Sequence, residues 1–139
     1  MNRNRRPVPG FLVVLGLLSA ALALDPPGAR GAGSALDGKT FVAESGEQGK
    51  KAEGPKDEIA FRDGRMRSSA CDAYGFGEGP YTTMDHGGSV MFQARTESPK
   101  EGVIEWKGTV RGDALEGTYV WTKPGQKPIT YWMKGTPKK

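Results

Sequence analysis

Between Val103 and Thr122 hydrophobic and polar positions alternate with a period of two on both sides of a single turn. With Gly112-Asp113 as a two-residue turn, Gly supplying the positive φ that such turns need, Arg111 faces Ala114 and Val110 faces Leu115. Gly108 then faces Gly117, Trp106 faces Tyr119 and Ile104 faces Trp121, while Glu105, Lys107, Thr109, Glu116, Thr118 and Thr122 fall on the other face. A one-residue slip would send these side chains to the wrong side, so the agreement of the two strands specifies the register. The pattern predicts an antiparallel sheet with one face buried.

The rest of the chain from Leu36 onward alternates short β-rich runs with Gly, Pro and Asp, and no segment keeps helical periodicity for three turns. The first strand is predicted at 39–44 and the second at 57–62, separated by 45–56, a Gly-, Lys- and Glu-rich loop with almost nothing to bury. Asp63-Gly64 turns the second strand into the third, 65–70, setting Phe61 against Met66 and Ile59 against Ser68. The fourth, 81–85, turns at Gly87-Gly88 into the fifth, 89–96, where Val90, Phe92 and Ala94 alternate with Met91, Gln93 and Arg95. The hairpin supplies the sixth and seventh strands. The eighth, 129–134, follows a turn at 124–126 and has Ile129, Tyr131 and Met133 in one phase and Trp132 in the other, which leaves its inward face open.

Strands joined in order by short connections remove their exposed edges by closing on themselves. The predicted fold class is therefore all-β: an up-and-down antiparallel barrel of about eight strands, with a two-sheet β-sandwich as the alternative. The length, export signal and strand meander resemble the calycin group, which includes lipocalins and avidins. Leu36-Asp37-Gly38-Lys39-Thr40-Phe41, Cys71-Asp72-Ala73-Tyr74-Gly75-Phe76-Gly77 and the hairpin are more narrowly similar to a family of small exported bacterial proteins. Lipocalins open their first strand with Gly-x-Trp, whereas Gly38 is followed here by Lys39, Thr40 and Phe41. The resemblance thus implies a barrel able to hold a ligand and carries over no binding residue and no activity.

The N-terminus changes the meaning of the composition. Arg3, Arg5 and Arg6 precede an uncharged apolar run from Phe11 to Leu24, and Ala21-Leu22-Ala23 fits a small-residue cleavage site. At about fourteen residues the run is shorter than the roughly twenty that cross a bilayer, so residues 1–23 read as a signal peptide and no membrane insertion is expected after cleavage. Residues 24–35 read as a flexible leader and 36–137 as one barrel domain. The formal charge of +4 includes the three signal arginines, and without them +1 remains. A nearly neutral mature chain argues against a nucleic-acid surface. The single cysteine excludes an internal disulfide, and no Asn-x-Ser/Thr sequon occurs. Both fit a bacterial periplasmic or secreted protein.

Candidate chemistry is sparse. Cys71, Asp72 and His86 are the only set with a thiol, an acid and a base, but His86 abuts the Gly87-Gly88 turn, out of phase with Tyr81, Thr83 and Asp85. One His and one Cys give no metal-ligand spacing, and the carboxylates form no glycosidase pair. No catalytic residue, metal or cofactor is expected. The binding expectation rests on two features. Gly108 and Gly117 remove inward bulk between Trp106/Tyr119 and Val110/Leu115, leaving either a cavity or room for an aromatic ring. The 71–80 segment places Gly75, Gly77 and Gly79 among Tyr74, Phe76 and Tyr81, suiting either a mobile lid or a fixed plug over a barrel mouth. Ser68, Tyr81 and Thr83 add inward hydroxyls.

Together these predict a non-catalytic exported barrel whose small, largely apolar ligand contacts Ser68, Tyr74, Phe76, Tyr81, Thr83, Trp106, Gly108, Gly117 and Tyr119. The rival expectation is a protein partner: an inhibitor of a periplasmic protease using residues 25–34 to enter the target cleft.

Overall fold

The computed structural model describes residues 35–139 together with the backbone of Ala29–Arg30. The predicted signal peptide lies outside the described residues, as does the leader apart from Ala29–Arg30 and Ala35. The strands are β1 (Ala29–Arg30), β2 (Thr40–Glu47), β3 (Asp57–Arg62), β4 (Arg65–Ser68), β5 (Glu78–His86), β6 (Ser89–Ser98), β7 (Gly102–Arg111), β8 (Ala114–Thr122) and β9 (Ile129–Pro137). β2 to β9 pair antiparallel in chain order, and β9 pairs with β2 to close the barrel. Closure excludes the open sandwich. β1 lies outside this cycle, its backbone pairing Ala29 with Met84 and Arg30 with Thr83 on β5.

The two ends of the barrel differ in their connections. At one end Asp63-Gly64, Gly87-Gly88 and Gly112-Asp113 make two-residue turns. Asp63 and Gly64 both have positive φ (52° and 72°), whereas only Gly112 (57°) does so in the last turn. These are the backbone twists that suit tight hairpins. Each turn then imposes its register: Phe61 faces Met66 and Ile59 faces Ser68. Val110 faces Leu115, Gly108 faces Gly117, Trp106 faces Tyr119 and Ile104 faces Trp121, as the alternation predicts. The other end carries the longer connections at 48–56, 69–77, 99–101 and 123–128.

Inward side chains fill the tight-turn half of the barrel. Phe61 meets Phe41, Tyr81 and Phe92 edge to face, with ring centroids 6.3, 4.8 and 5.1 Å away. Leu36 is fully buried beneath them. Asp37 ties this end down by accepting the Tyr81 hydroxyl at 2.6 Å and the Gly64 N–H at 3.1 Å. The last strand turns Met133 into the core, which settles its phase. Trp132 points outward and donates its indole N–H to the Lys50 carbonyl at 2.9 Å.

Three expectations are corrected. β2 runs on to Glu47, because pairing of Ser45 with Met133 and of Glu47 with Tyr131 continues across the barrel closure. β4 ends at Ser68 rather than at residue 70, and Ser69–Tyr74 forms a 3-10 helix. The 71–80 segment is consequently no long mobile loop: helix occupies its first part and β5 begins at Glu78.

Candidate functional site

A cavity of about 490 Å³ opens at the end that carries the long connections. Its walls come from β2, β3, β7, β8 and β9, and its rim from the 3-10 helix and the 48–56 and 99–101 connections. Each rim element is fastened. The Glu53 N–H donates to the Ser45 carbonyl at 2.8 Å, which folds the 48–56 connection back over β2. Gly46 permits that approach, since a Cβ there would lie 2.3 Å from the Lys51 carbonyl oxygen. The Ser98 hydroxyl donates to the Tyr74 carbonyl at 2.7 Å, and the Trp121 indole N–H donates to the Glu101 carbonyl at 2.6 Å. Lys123 pairs with the Glu101 carboxylate at 2.9 Å. A mouth held this way is largely formed before any ligand arrives.

The 3-10 helix is positioned by a residue remote in sequence. Ser68 makes no side-chain cap. Instead Asp57, the first residue of β3, accepts the Ala70 N–H at 2.9 Å and the Ser69 hydroxyl at 3.0 Å with one oxygen, and the Ser68 hydroxyl with the other. Arg67 grips Asp72 through its Nε and Nη2, and Gly75 ends the helix with φ 82°. Asp57 shares the inward parity of Ile59 and Phe61 and is only 8 % exposed. Its carboxylate therefore sits at the cavity wall.

Three aromatic rings pack in a row across successive strands, and two of them, Tyr119 and Tyr131, form part of the cavity wall. Trp106 packs on Tyr119 at 4.4 Å between centroids, and Tyr119 stacks on Tyr131 at 4.8 Å with 11° between planes. Trp106 lies behind this wall, its indole N–H donating to Thr96 Oγ1 at 3.0 Å. Tyr119, Tyr131, Trp121, Ile104 and Phe76 present apolar surface to the cavity, with Tyr74 at the rim. The Tyr119 hydroxyl donates to Ser45 Oγ at 3.2 Å, and burial pushes its pKa up to about 12. Burial first, and Glu47 and Glu53 next, raise that of Tyr131. Burial likewise raises the Cys71 thiol, with Asp57 and Asp72 acting in the same direction.

Of the residues expected at a ligand site, the structure brings Tyr74, Phe76 and Tyr119 to the cavity. Tyr74 is 62 % exposed, whereas Phe76 is buried against the core and behaves as a wall. Gly108 and Gly117 do not leave a void: a Cβ on Gly108 would lie 2.5 Å from Phe92 Cε1, and one on Gly117 would lie 2.8 Å from Met133 Cε. The missing bulk admits side chains from neighbouring strands. Ser68, Tyr81, Thr83 and Trp106 are buried away from the cavity lining, the Ser68 and Tyr81 hydroxyls being bound to Asp57 and Asp37. Thr83 Oγ1 is buried without a partner among the described residues.

Cys71 lines the cavity at the open end, while His86 precedes the Gly87-Gly88 turn at the other, so the two are not assembled into a thiol–imidazole pair. Among the described residues no group of three or more His, Cys, Asp or Glu side chains converges to hold a metal ion. The residues that sequence reasoning missed are chiefly Ser45, Asp57, Trp121 and Tyr131. For Asp57 the signal was present, since it alternates in phase with Ile59 and Phe61. Comparison of the chain with protein-family models, with curated proteins and with solved structures finds no match.

Proposed function

We infer that this is an exported, non-catalytic, calycin-like barrel that binds a small, largely apolar molecule in the cavity at its open end. The observation that carries the reading is the cavity itself: about 490 Å³, walled by Tyr119, Trp121, Tyr131, Ile104 and Phe76, with more apolar than polar surface facing inward. That size and composition suit a single small ligand held mainly by burial of its apolar surface. The ligand lies at the mouth and stops above the packed level of Phe92 and Met133. The export signal read in residues 1–23 would place this activity in the periplasm or outside the cell.

The test uses the neutral fluorophore N-phenyl-1-naphthylamine. Its emission should rise on addition of the protein, and Ala70→Trp should suppress that rise, because Ala70 lines the cavity while remaining exposed. No enhancement with the unaltered protein, or equal enhancement with a folded Ala70→Trp variant, overturns the reading.

A further inference from the structure

The charge of the cavity lining narrows what it binds. Glu53, Asp57 and Glu101 are the charged residues of the lining, and no Lys, Arg or His contributes to it among the described residues. Glu101 is neutralised by Lys123. Asp57 is not: its oxygens accept only the neutral donors of Ser68, Ser69 and Ala70, and no ion pair reaches it among the described residues. An anion taken from water in this way is compensated by hydrogen bonds but keeps its field, and that field reaches into the cavity that Asp57 lines. The rings of Tyr119, Tyr131 and Trp121 stand around the same space. Tyr119 has its faces covered by Trp106 and Tyr131, so the attraction of a ring face for a cation falls to Tyr131 and Trp121.

We propose that the mouth cavity selects an organic ammonium ion, a molecule whose apolar body packs on Tyr119, Trp121 and Tyr131 while its cationic nitrogen lies toward Asp57, with Glu53 at the rim. The proposal rests on the ligand-binding reading of the same cavity and adds the charge of the ligand. A metal cation is disfavoured by geometry, because the carboxylates of the lining do not converge with other ligating side chains among the described residues. An anion would meet Asp57 and Glu53 with no positive side chain lining the cavity to offset them. Burial is the main cause that raises the Tyr131 and Cys71 groups, with Glu47 and Glu53 acting in the same direction at the first and Asp57 and Asp72 at the second.

Benzyltrimethylammonium and its uncharged isostere neopentylbenzene separate charge from shape. In an NMR titration of the full chain, followed at the Trp121 indole and the Ala70 amide, the ammonium ion should bind at least tenfold more tightly than the isostere. Asp57→Asn should remove most of that preference. Because Asp57 also anchors the 3-10 helix, Glu53→Gln on the exposed connection provides a second variant, expected to reduce the preference by about twofold to threefold. Equal or tighter binding of neopentylbenzene by the unaltered protein overturns the cation assignment and leaves the apolar cavity standing. A cation preference unmoved by either substitution in folded protein overturns the assignment to these carboxylates. If neither compound shifts the mouth resonances at millimolar concentration, the ligand-binding reading fails and this inference with it.

Discussion

Tyr119 and Tyr131 lie directly opposite each other on β8 and β9, their rings stacked at 4.8 Å with 11° between planes. The pair joins two parts of the molecule: Tyr119 also rests on the buried Trp106, whereas Tyr131 reaches the cavity wall beside Glu53 and Pro55. The stack therefore transmits the rigidity of the core to the mouth. It also accounts for the inward phase of β9, since turning Trp132 inward would break the stack and lose the Trp132–Lys50 bond outside.

Trp106 is the anchor of that stack. It is 1 % exposed and its indole N–H is satisfied by Thr96. Trp106→Ala should destabilise the barrel by about 3 to 5 kcal/mol, through the cavity left behind and the Thr96 hydroxyl left without its donor. Urea unfolding measures this directly. A loss below about 0.5 kcal/mol would be the behaviour of a surface residue and would contradict the packing described.

Gly117 and Gly108 differ in what surrounds them. A Cβ on Gly117 would lie 2.2 Å from the Lys107 carbonyl oxygen, a backbone atom of the paired strand, whereas at Gly108 the closest atoms belong to the Phe92 ring. Side chains adjust more readily than paired backbone. Gly117→Ala should therefore cost more stability than Gly108→Ala, with the first at about 2 to 3 kcal/mol and the second nearer 1. The reverse order in chemical denaturation would show that the Phe92 ring, and not the strand pairing, is the rigid element.

What the sequence disclosed follows the range of the interactions involved. The pairings Phe61–Met66 and Val110–Leu115 were legible because a two-residue turn sets each of them locally. Filling of the Gly108 gap by Phe92 depends on the register of β6 against β7, which sets Phe92 opposite Gly108 and which alternation within one strand does not specify. The 3-10 helix depends on Asp57 capping Ala70 from another strand, so local propensity at 69–74 did not reveal it. The cavity was least legible of all. It required the phase of β9, and pairing of β9 with β2 across the barrel closure holds that phase.

Alkaline pH should loosen the mouth. Burial raises the pKa of the Tyr119 hydroxyl to about 12, above the roughly 10 of a tyrosine in the unfolded chain. The folded state thus holds a proton that the unfolded state releases first. Its contribution is fully present below about pH 10 and declines as pH rises toward about 12. Tyr81 and Tyr131 are raised in the same direction. Thermal melts should show a falling midpoint across this window, and Tyr119→Phe should flatten the fall. A midpoint that stays level from pH 10 to 12 would mean that the phenol is not buried as described.

Cys71 offers a reporter of the cavity that needs no added label elsewhere, because it is the chain's single cysteine and it lies in the lining. Burial raises its pKa, and the nearby Asp57 and Asp72 disfavour the thiolate further. Only the thiolate is the effective nucleophile, so alkylation by iodoacetamide at pH 8 should be slower than that of free cysteine by about tenfold or more. Unfolding in urea should abolish the difference. A ligand seated against Tyr119 and Trp121 would cover the sulfur, and saturating benzyltrimethylammonium should slow the reaction again. Cys71→Ala should keep the ligand affinity within about threefold, since the thiol contributes bulk to the wall and no charge. Alkylation as fast as free cysteine would place the thiol outside the cavity. Loss of binding in a folded Cys71→Ala protein would give the sulfur a direct role that the geometry does not support.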